Sequence, residues 1–471
     1  MVRGRRAADS LISDIGSFVM VISGRFKVRF YFNRSFTTKL QNYLQTFTIF
    51  AVKSYILFQM SAFNNTAFLC AYFSFNENAD TDSILTSGGW TRVCHGRESI
   101  ETYKQFYYPG FIEFFMGGGE GTEVGKYTKT FEETISIGDA NVLIKDIVIY
   151  MMPYGMALYS IQTEQESDNL DTFTLSLFKM REMRRWNMME LTDFRSKAIA
   201  PIEKTALSLG CRGGIIENGN KLKVFQIITA PDKSHFDDDT DTLLFELGTL
   251  GKVGGCSHNA PDSPSRSYIE RTVHENRLSF FNNWKGLALF DTFTILGYDV
   301  KPWVRETWAA DYFSMIYIHS LYCKFYLFKL NARFRDNPRQ GEALEKEYHD
   351  FERLYTFHRI SYNFLPDEID KAIDKALEIT EEKKLLAGYI SDYNKLHAEE
   401  SSKRLNRLLT FLAIVTVFST IWDFACMVNA LLPFNEYAAT VENGFRIVVS
   451  LTLLTVILAI ISMLKKSGKE K

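Results

Sequence analysis

A series of oxygen-bearing side chains interrupts the most apolar stretch of this chain. Residues 408–432 read LLTFLAIVTVFSTIWDFACMVNALL, with a single formal charge. In or beside that run stand Asn406, Thr410, Thr416, Thr420, Asp423, Met427 and Asn429. Their spacings keep much of the series on one face of a helix. Hydroxyl, amide and carboxylate oxygens are the ligands that hard cations favour. Rings of such oxygens line a pore when several copies of a helix surround one axis. For Thr410 the plainer expectation is a hydrogen bond to the carbonyl four residues back. Asp423 is harder to read as passive. A carboxylate near mid-membrane costs about 2.5–3.5 kcal/mol on insertion scales, so it is expected to face water or a partner. The rival to a pore role is an ion pair with Arg446 across a helical hairpin.

The remaining reactive residue types do not assemble a recognisable catalytic pattern. No Ser-His-Asp, HExxH or DxD constellation has a convincing context, and the chain is not expected to be an enzyme. Residues 117–121 (GGGEG) lack the Lys-Ser/Thr of a phosphate-binding loop and read as a flexible turn. Residues 235–241 (HFDDDTD) read as a solvated acidic loop rather than a cation site. Cys256-Ser257-His258 and Cys94-His95 lack a second ligand pair at zinc spacing. No cofactor is expected; a divalent cation such as magnesium would enter as a transported or gating ion. The six cysteines form no CxxC pair, which fits free thiols in a reducing compartment. A net charge of -2 gives no general reason to bind nucleic acid.

The elements that would position the polar series follow from hydropathy and charge. About 20 apolar residues cross a bilayer, and 408–432 meets that length. A second run, 445–464, carries only Arg446, at its rim. A short loop joins the two, so they are expected to form a transmembrane hairpin. Lys403, Arg404 and Arg407 precede the first run, and Lys465, Lys466, Lys469 and Lys471 come after the second. The loop holds only the acids Glu436 and Glu442. Positive flanks face the cytoplasm, which puts both termini inside and these two acids at the outer mouth. The protein is therefore expected in the cell inner membrane, as a multi-pass protein whose first partner is the lipid bilayer.

The chain before the hairpin divides by texture. Residues 1–59 carry nine Lys/Arg against two Asp and contrast with the more acidic remainder of the chain. They read as an over-called start, with Met60 the initiator, or else as a targeting segment. Residues 60–300 are expected to be a cytoplasmic α/β domain around a central sheet. Strands are expected at 67–75, 142–151, 155–162, 221–229, 242–247 and 284–296, and a helix at 170–186. Residues 301–407 are expected to form a helical bundle and stalk. In it, 303–334 is one aromatic helix, buried although 312–330 has the length of a span, because His319, Lys324 and Lys329 lie within it. A second helix is expected at 342–361. Pro366, followed by Asp367 and Glu368, suits the start of a third. With no proline before Pro433, that helix is expected to run from 367 to 432, about 100 Å. A helix so long needs partners along its length, so a homo-oligomer is expected. The chain would close with a basic cytoplasmic tail, 465–471.

This layout resembles the CorA-type divalent-cation channels. The resemblance covers the organisation of 303–471 and is closest at 401–424, SSKRLNRLLTFLAIVTVFSTIWDF, which looks like that family's stalk-to-membrane junction. It implies a homopentamer with the first span lining a pore that the cytoplasmic domain gates. The family's signature, Gly-Met-Asn at the outer end of that span, recruits hydrated magnesium. Here Cys426-Met427-Val428-Asn429 stands nearest, with Met427 and Asn429 retained but the glycine and the spacing gone. The resemblance thus implies cation transport without fixing the ion. Divergent relatives serve as membrane effectors of CRISPR-type defence, opened by a nucleotide second messenger, so a small nucleotide ligand is an alternative expectation. A membrane-tethered binding module is the third.

Overall fold

The computed structural model describes residues 63–116, 124–182, 188–211, 215, 221–235, 240–256, 263–337, 340–431 and 450. The expectations for 1–59, 117–121, 433–443 (with Glu436 and Glu442), 445–464 apart from position 450, and 465–471 lie outside the described residues, as do 183–186 of the helix expected at 170–186, 236–239 of the acidic segment, 257–258 beside Cys256, and position 432.

Alternating burial along β-branched and aromatic runs builds a nine-stranded sheet. The strands are β1 (Phe63–Ser74), β2 (Thr91–Arg92), β3 (Gly125–Ile137), β4 (Ala140–Met152), β5 (Met156–Ser167), β6 (Lys223–Ala230), β7 (Arg277–Phe281), β8 (Trp284–Ala288) and β9 (Thr292–Tyr298). Their order is β2-β3-β4-β5-β1-β6-β9-β8-β7. Only β6 and β9 run parallel; the other neighbours are antiparallel. Every residue of β6 is buried, as expected of a central strand covered on both faces.

The helices are α1 (Thr81–Ser87), α2 (Arg97–Tyr103), α3 (Pro109–Met116), α4 (Leu170–Arg181), α5 (Ala200–Ser208), α6 (Thr240–Thr249), α7 (Arg266–Asn276), α8 (Pro302–Thr307), α9 (Ile318–Asp336), α10 (Gly341–Tyr355), α11 (Phe364–Ala376) and α12 (Ile379–Leu431). A wider helical turn, Trp308–Tyr317, joins α8 to α9 without a break. One sheet face, with Phe68, Tyr150, Phe225 and Phe293, packs against α3, α9, α10, α11 and the start of α12. The other, with Leu69, Phe73, Tyr159 and Ile161, packs against α4 and α5. Leu244 and Leu247 of α6 cover Ile228 and Leu296 on β6 and β9. The result is an α/β domain with a mixed sheet between two helical layers, followed by one long C-terminal helix.

Four expectations change. Residues 242–247 are helical, within α6, not a strand. A short apolar run has no decisive period of its own, and here Leu244 and Leu247 meet the sheet while Phe245 turns to Ile269 and Val273 of α7. Run 284–296 is a hairpin, β8 and β9, reversing at Phe290-Asp291, where Leu289 N–H donates to Thr292 O at 2.8 Å. The helix expected at 342–361 ends at Tyr355. The helix expected from 367 to 432 is two helices, broken at Glu378, whose φ is +57°. Leu377 and Ile379 are both buried in the same cluster. On a continuous helix two residues apart point about 200° away from each other, so the left-handed turn at Glu378 is what lets both enter the core. Strand β3 was not expected; its Lys126, Lys129, Glu132 and Glu133 mask an outer, half-exposed strand.

The long helix and its root as the candidate functional site

Helix α12 begins inside the domain. Leu386 is fully buried and Ile390 nearly so, both against the aromatic cluster around α9. Between them and the break, Glu382 turns to α9: Lys324 Nζ donates to its Oε1 at 2.9 Å and Asn331 Nδ2 to its Oε2 at 2.7 Å. Asn331 Nδ2 also reaches the Glu382 carbonyl, at 3.1 Å. Lys383 pairs with Glu352 of α10 at 2.9 Å, and Asn394 Nδ2 donates to Glu345 at 3.0 Å. At Gly341 a Cβ would stand 2.4 Å from the Tyr393 ring, so α10 approaches α12 as closely as glycine permits. Two helices thus hold the first four turns of α12.

Beyond Asn394 the helix leaves the domain. From Lys395 to Phe424 its residues are exposed, with Thr410, Ile414 and Phe418 half-buried. That stretch is about 45 Å long at 1.5 Å per residue. It presents Leu408, Phe411, Val417, Trp422 and Phe424 openly. By length and composition this helix is apolar enough to cross a membrane.

The polar series lies on this exposed rod. A repeat of 3.6 residues puts Thr416, Thr420, Asp423 and Met427 within an arc of about 60°. Asn406 and Thr410 sit lower on the rod and outside that arc, about 40° and about 80° beyond its edge, and position 429 falls on nearly the opposite side. Each threonine hydroxyl donates to the carbonyl four residues back: Thr410 to Asn406 at 2.7 Å, Thr416 to Leu412, and Thr420 to Thr416 at 2.8 Å. The plain expectation for Thr410 therefore holds for all three. It does not remove them as ligands. With the proton donated inward, the oxygen keeps lone pairs that point away from the helix. Asp423 makes no ion pair among the described residues, and Arg446 lies outside them.

Other segments singled out in the sequence have structural roles. Asp241 opens α6 and pairs with Arg277 and with Lys285, the latter at 2.9 Å. Partial burial would raise its pKa, but the hydrogen bonds from Lys285 and Arg277 outweigh that and hold the carboxyl below its ordinary range. The aromatic run 312–330 is largely buried on the sheet, with Phe328 turned outward, and its His319 sits among Phe111, Phe115 and Phe357 with Nε2 2.9 Å from the Tyr355 carbonyl.

Sequence reasoning missed the root itself. Lys324, Asn331 and Glu382 are far apart in the chain, and the one available signal was a lysine inside an otherwise aromatic helix. It also missed a buried charge cluster at the β8–β9 turn. There Arg181 and Lys223 both pair with Asp291, the lysine at 2.8 Å. Burial raises the Asp291 pKa, while Lys223, Arg181 and Lys221 more than offset it and keep the carboxyl ionised below its usual range. No protein-family model, curated protein or solved structure matches this chain.

Proposed function

We propose that the protein is an oligomeric, CorA-like membrane ion channel or transporter for cations, gated by its α/β domain. The observation that carries this reading is α12 itself. One unbroken helix of 53 residues is fastened at its start into the core of the domain and continues as an uncovered apolar rod bearing a line of oxygen ligands. Such a rod needs lipid around its apolar sides. The Thr416, Thr420 and Asp423 line needs water, ions or a partner instead. A single helix cannot supply both environments. Several copies around an axis supply them at once, with the apolar sides outward and the oxygens inward.

In this reading 408–432 and 445–464 form a two-helix hairpin, both termini are cytoplasmic, and Glu436 and Glu442 add negative charge at the outer mouth. Five copies is the number that the resemblance implies. Carboxylates ringed around one axis repel each other unless a cation screens them, which favours positive ions. The joint at Glu382 would pass any rearrangement of the domain into the rod as a rotation or tilt.

The test is purification of the full chain in detergent, followed by reconstitution into liposomes loaded with a cation-sensitive dye. The expected result is a homo-oligomer by light scattering and a cation flux that scales with protein loading. A monomer, or liposomes no leakier than protein-free controls, would overturn the reading.

A further inference from the structure

Far from α12, a lysine points from the outer part of the sheet into the aromatic layer. Lys126 stands in β3 directly opposite Tyr150 of β4. Its Nζ lies 5.6 Å from the centroid of the Tyr150 ring. Among the described residues its side chain makes one hydrogen bond, donated to Ser314 Oγ at 2.9 Å. Ser314 Oγ in turn lies 3.2 Å from the Tyr150 hydroxyl. Ser314 and Tyr150 are buried, whereas Lys126 is half-buried and keeps part of its surface open to solvent. The wide helical turn Trp308–Tyr317 is what carries Ser314 to this place. Such turns are rare and recur at functional sites.

No described carboxylate neutralises this lysine. Asp311, three residues before Ser314, accepts from the Tyr103 hydroxyl at 3.0 Å and is also bonded by Tyr107. Glu113 of α3 pairs with Lys104 at 3.2 Å. Burial without a counterion holds the Lys126 amine below its ordinary pKa. His95 lies close by, half-buried; burial and then the Lys126 charge lower its own pKa, so it is mainly neutral near pH 7. A desolvated lysine carries more free amine than an exposed one, and free amine is the form that attacks a carbonyl carbon.

The neighbouring hydroxyls supply what such an attack needs next. An amine has one lone pair, and it stays free when an N–H, not the lone pair, is engaged by Ser314. A hydroxyl within reach of both the nitrogen and a second hydroxyl can pass protons between them. Ser314 Oγ holds that position between Lys126 Nζ and the Tyr150 hydroxyl.

We propose that Lys126 is the amine of a carbonyl-binding site, which captures a small aldehyde as an imine with Ser314 and Tyr150 as its hydroxyl relay. In the addition, the C–N bond forms and one amine proton moves to the carbonyl oxygen. In the dehydration, the C–O bond breaks, the second amine proton leaves with the hydroxyl as water, and a C=N bond remains. Water is the only leaving group, and no oxidant or reductant takes part. The aldehyde must be small because the amine is half-buried beneath the wide helical turn. This site is independent of the reading of α12 as a pore helix.

The experiment treats the full-length protein in detergent micelles with limiting butanal and sodium cyanoborohydride, which fixes each imine as an alkylated amine. Digestion and mass spectrometry then give the rate at every lysine. At pH 7 Lys126 is expected to react about tenfold faster than the exposed Lys371, Lys384 and Lys395. Its rate should also level off at a lower pH than theirs. Both differences should disappear in guanidinium, where the fold is lost. Ser314→Ala breaks the relay and is expected to slow Lys126 about tenfold or more, with the exposed lysines unchanged as an internal reference. Lys126→Arg keeps the charge and should remove the fast site without moving the melting temperature. A bulky aldehyde, 1-naphthaldehyde, should show no preference for Lys126. The site is overturned if Lys126 reacts no faster than the exposed lysines, or if its lead persists in guanidinium. An unchanged Lys126 rate in Ser314→Ala overturns the relay, and an equal preference with 1-naphthaldehyde overturns the size limit.

Discussion

Lys324 Nζ lies 2.9 Å from Glu382 Oε1, and the two side chains are 8% and 16% exposed. This pair joins the helix that covers the sheet to the helix that leaves the domain. Removing one member strands the other in a poorly hydrated place, which costs more than the pair itself contributes. Lys324→Met is expected to destabilise the full-length protein by about 3 kcal/mol. The paired change Lys324→Met with Glu382→Leu should recover most of that loss. Thermal melts of the three variants in detergent decide it. Additive losses in the double variant would show that the two residues act independently.

Gly341 tests the packing of α10 on α12. Its missing side chain admits the Tyr393 ring, which stands where a Cβ would be. Gly341→Ala would normally favour a helix, by up to about 1 kcal/mol. Here overpacking should win, with a net loss of about 1–3 kcal/mol. Gly341→Ala combined with Tyr393→Ala should restore the ordinary alanine preference. A rise in melting temperature for Gly341→Ala alone would refute the close approach.

Asp423 lies on the same arc of the rod as Thr416 and Thr420. Asp423→Asn keeps the shape and removes the charge. Cation flux into liposomes is expected to fall about tenfold with the oligomer intact. Asp423→Lys should nearly abolish it. Unchanged flux in both variants would remove Asp423 from the pore. Loss of assembly in Asp423→Asn would instead favour a structural pair with Arg446.

A cut after Arg404 tests where membrane association resides. The shortened chain keeps the sheet, both helical layers and the root of α12, but loses the apolar rod. It is expected to remain in the supernatant after alkaline extraction of membranes. Retention in the pellet would mean that another part of the chain binds lipid.

The pH dependence of stability has two opposing contributors near α9. Burial lowers the His319 pKa to about 4; the bond to the Tyr355 carbonyl acts against that shift and Lys383 adds to it. An unfolded histidine titrates near about 6.5, so the unfolded chain binds the extra proton first. This contribution is complete above that value and is lost as pH falls from about 6.5 toward about 4. Burial, with Asp374 and Asp367 close by, raises the Asp370 pKa to about 7, partly countered by Lys371 and a bond from Ser320. Its contribution has the opposite sign: complete below the unfolded aspartate value and lost as pH rises toward about 7. His319→Asn should therefore flatten the acid-side loss of stability, and Asp370→Asn should steepen it. Melting temperatures between pH 4 and 7 measure both, and parallel curves for all three proteins would contradict the assignment.

Much of the architecture follows from local pattern. The strands at 67–75, 142–151, 155–162 and 221–229 are recognisable because apolar side chains crowd short runs between turn residues. The buried nature of 312–330 is legible from His319, Lys324 and Lys329, which lipid would not accept without partners. The apolar rod and its oxygen series are legible for the same reason: along one helix, sequence spacing fixes direction.

What the sequence could not decide is where distant segments meet. Residues 242–247 have the composition of a strand, and only the sheet beneath Leu244 and Leu247 makes them a helix. The absence of proline from 367 to 432 allowed one helix, but burying both Leu377 and Ile379 required a break at Glu378. Lys324 and Glu382 stand 58 positions apart, and Arg181 and Asp291 110 apart. Charge pairs of that separation leave no local period to read. They form because burial strips water from ions, and an ion without water must find its counterion wherever the fold brings one.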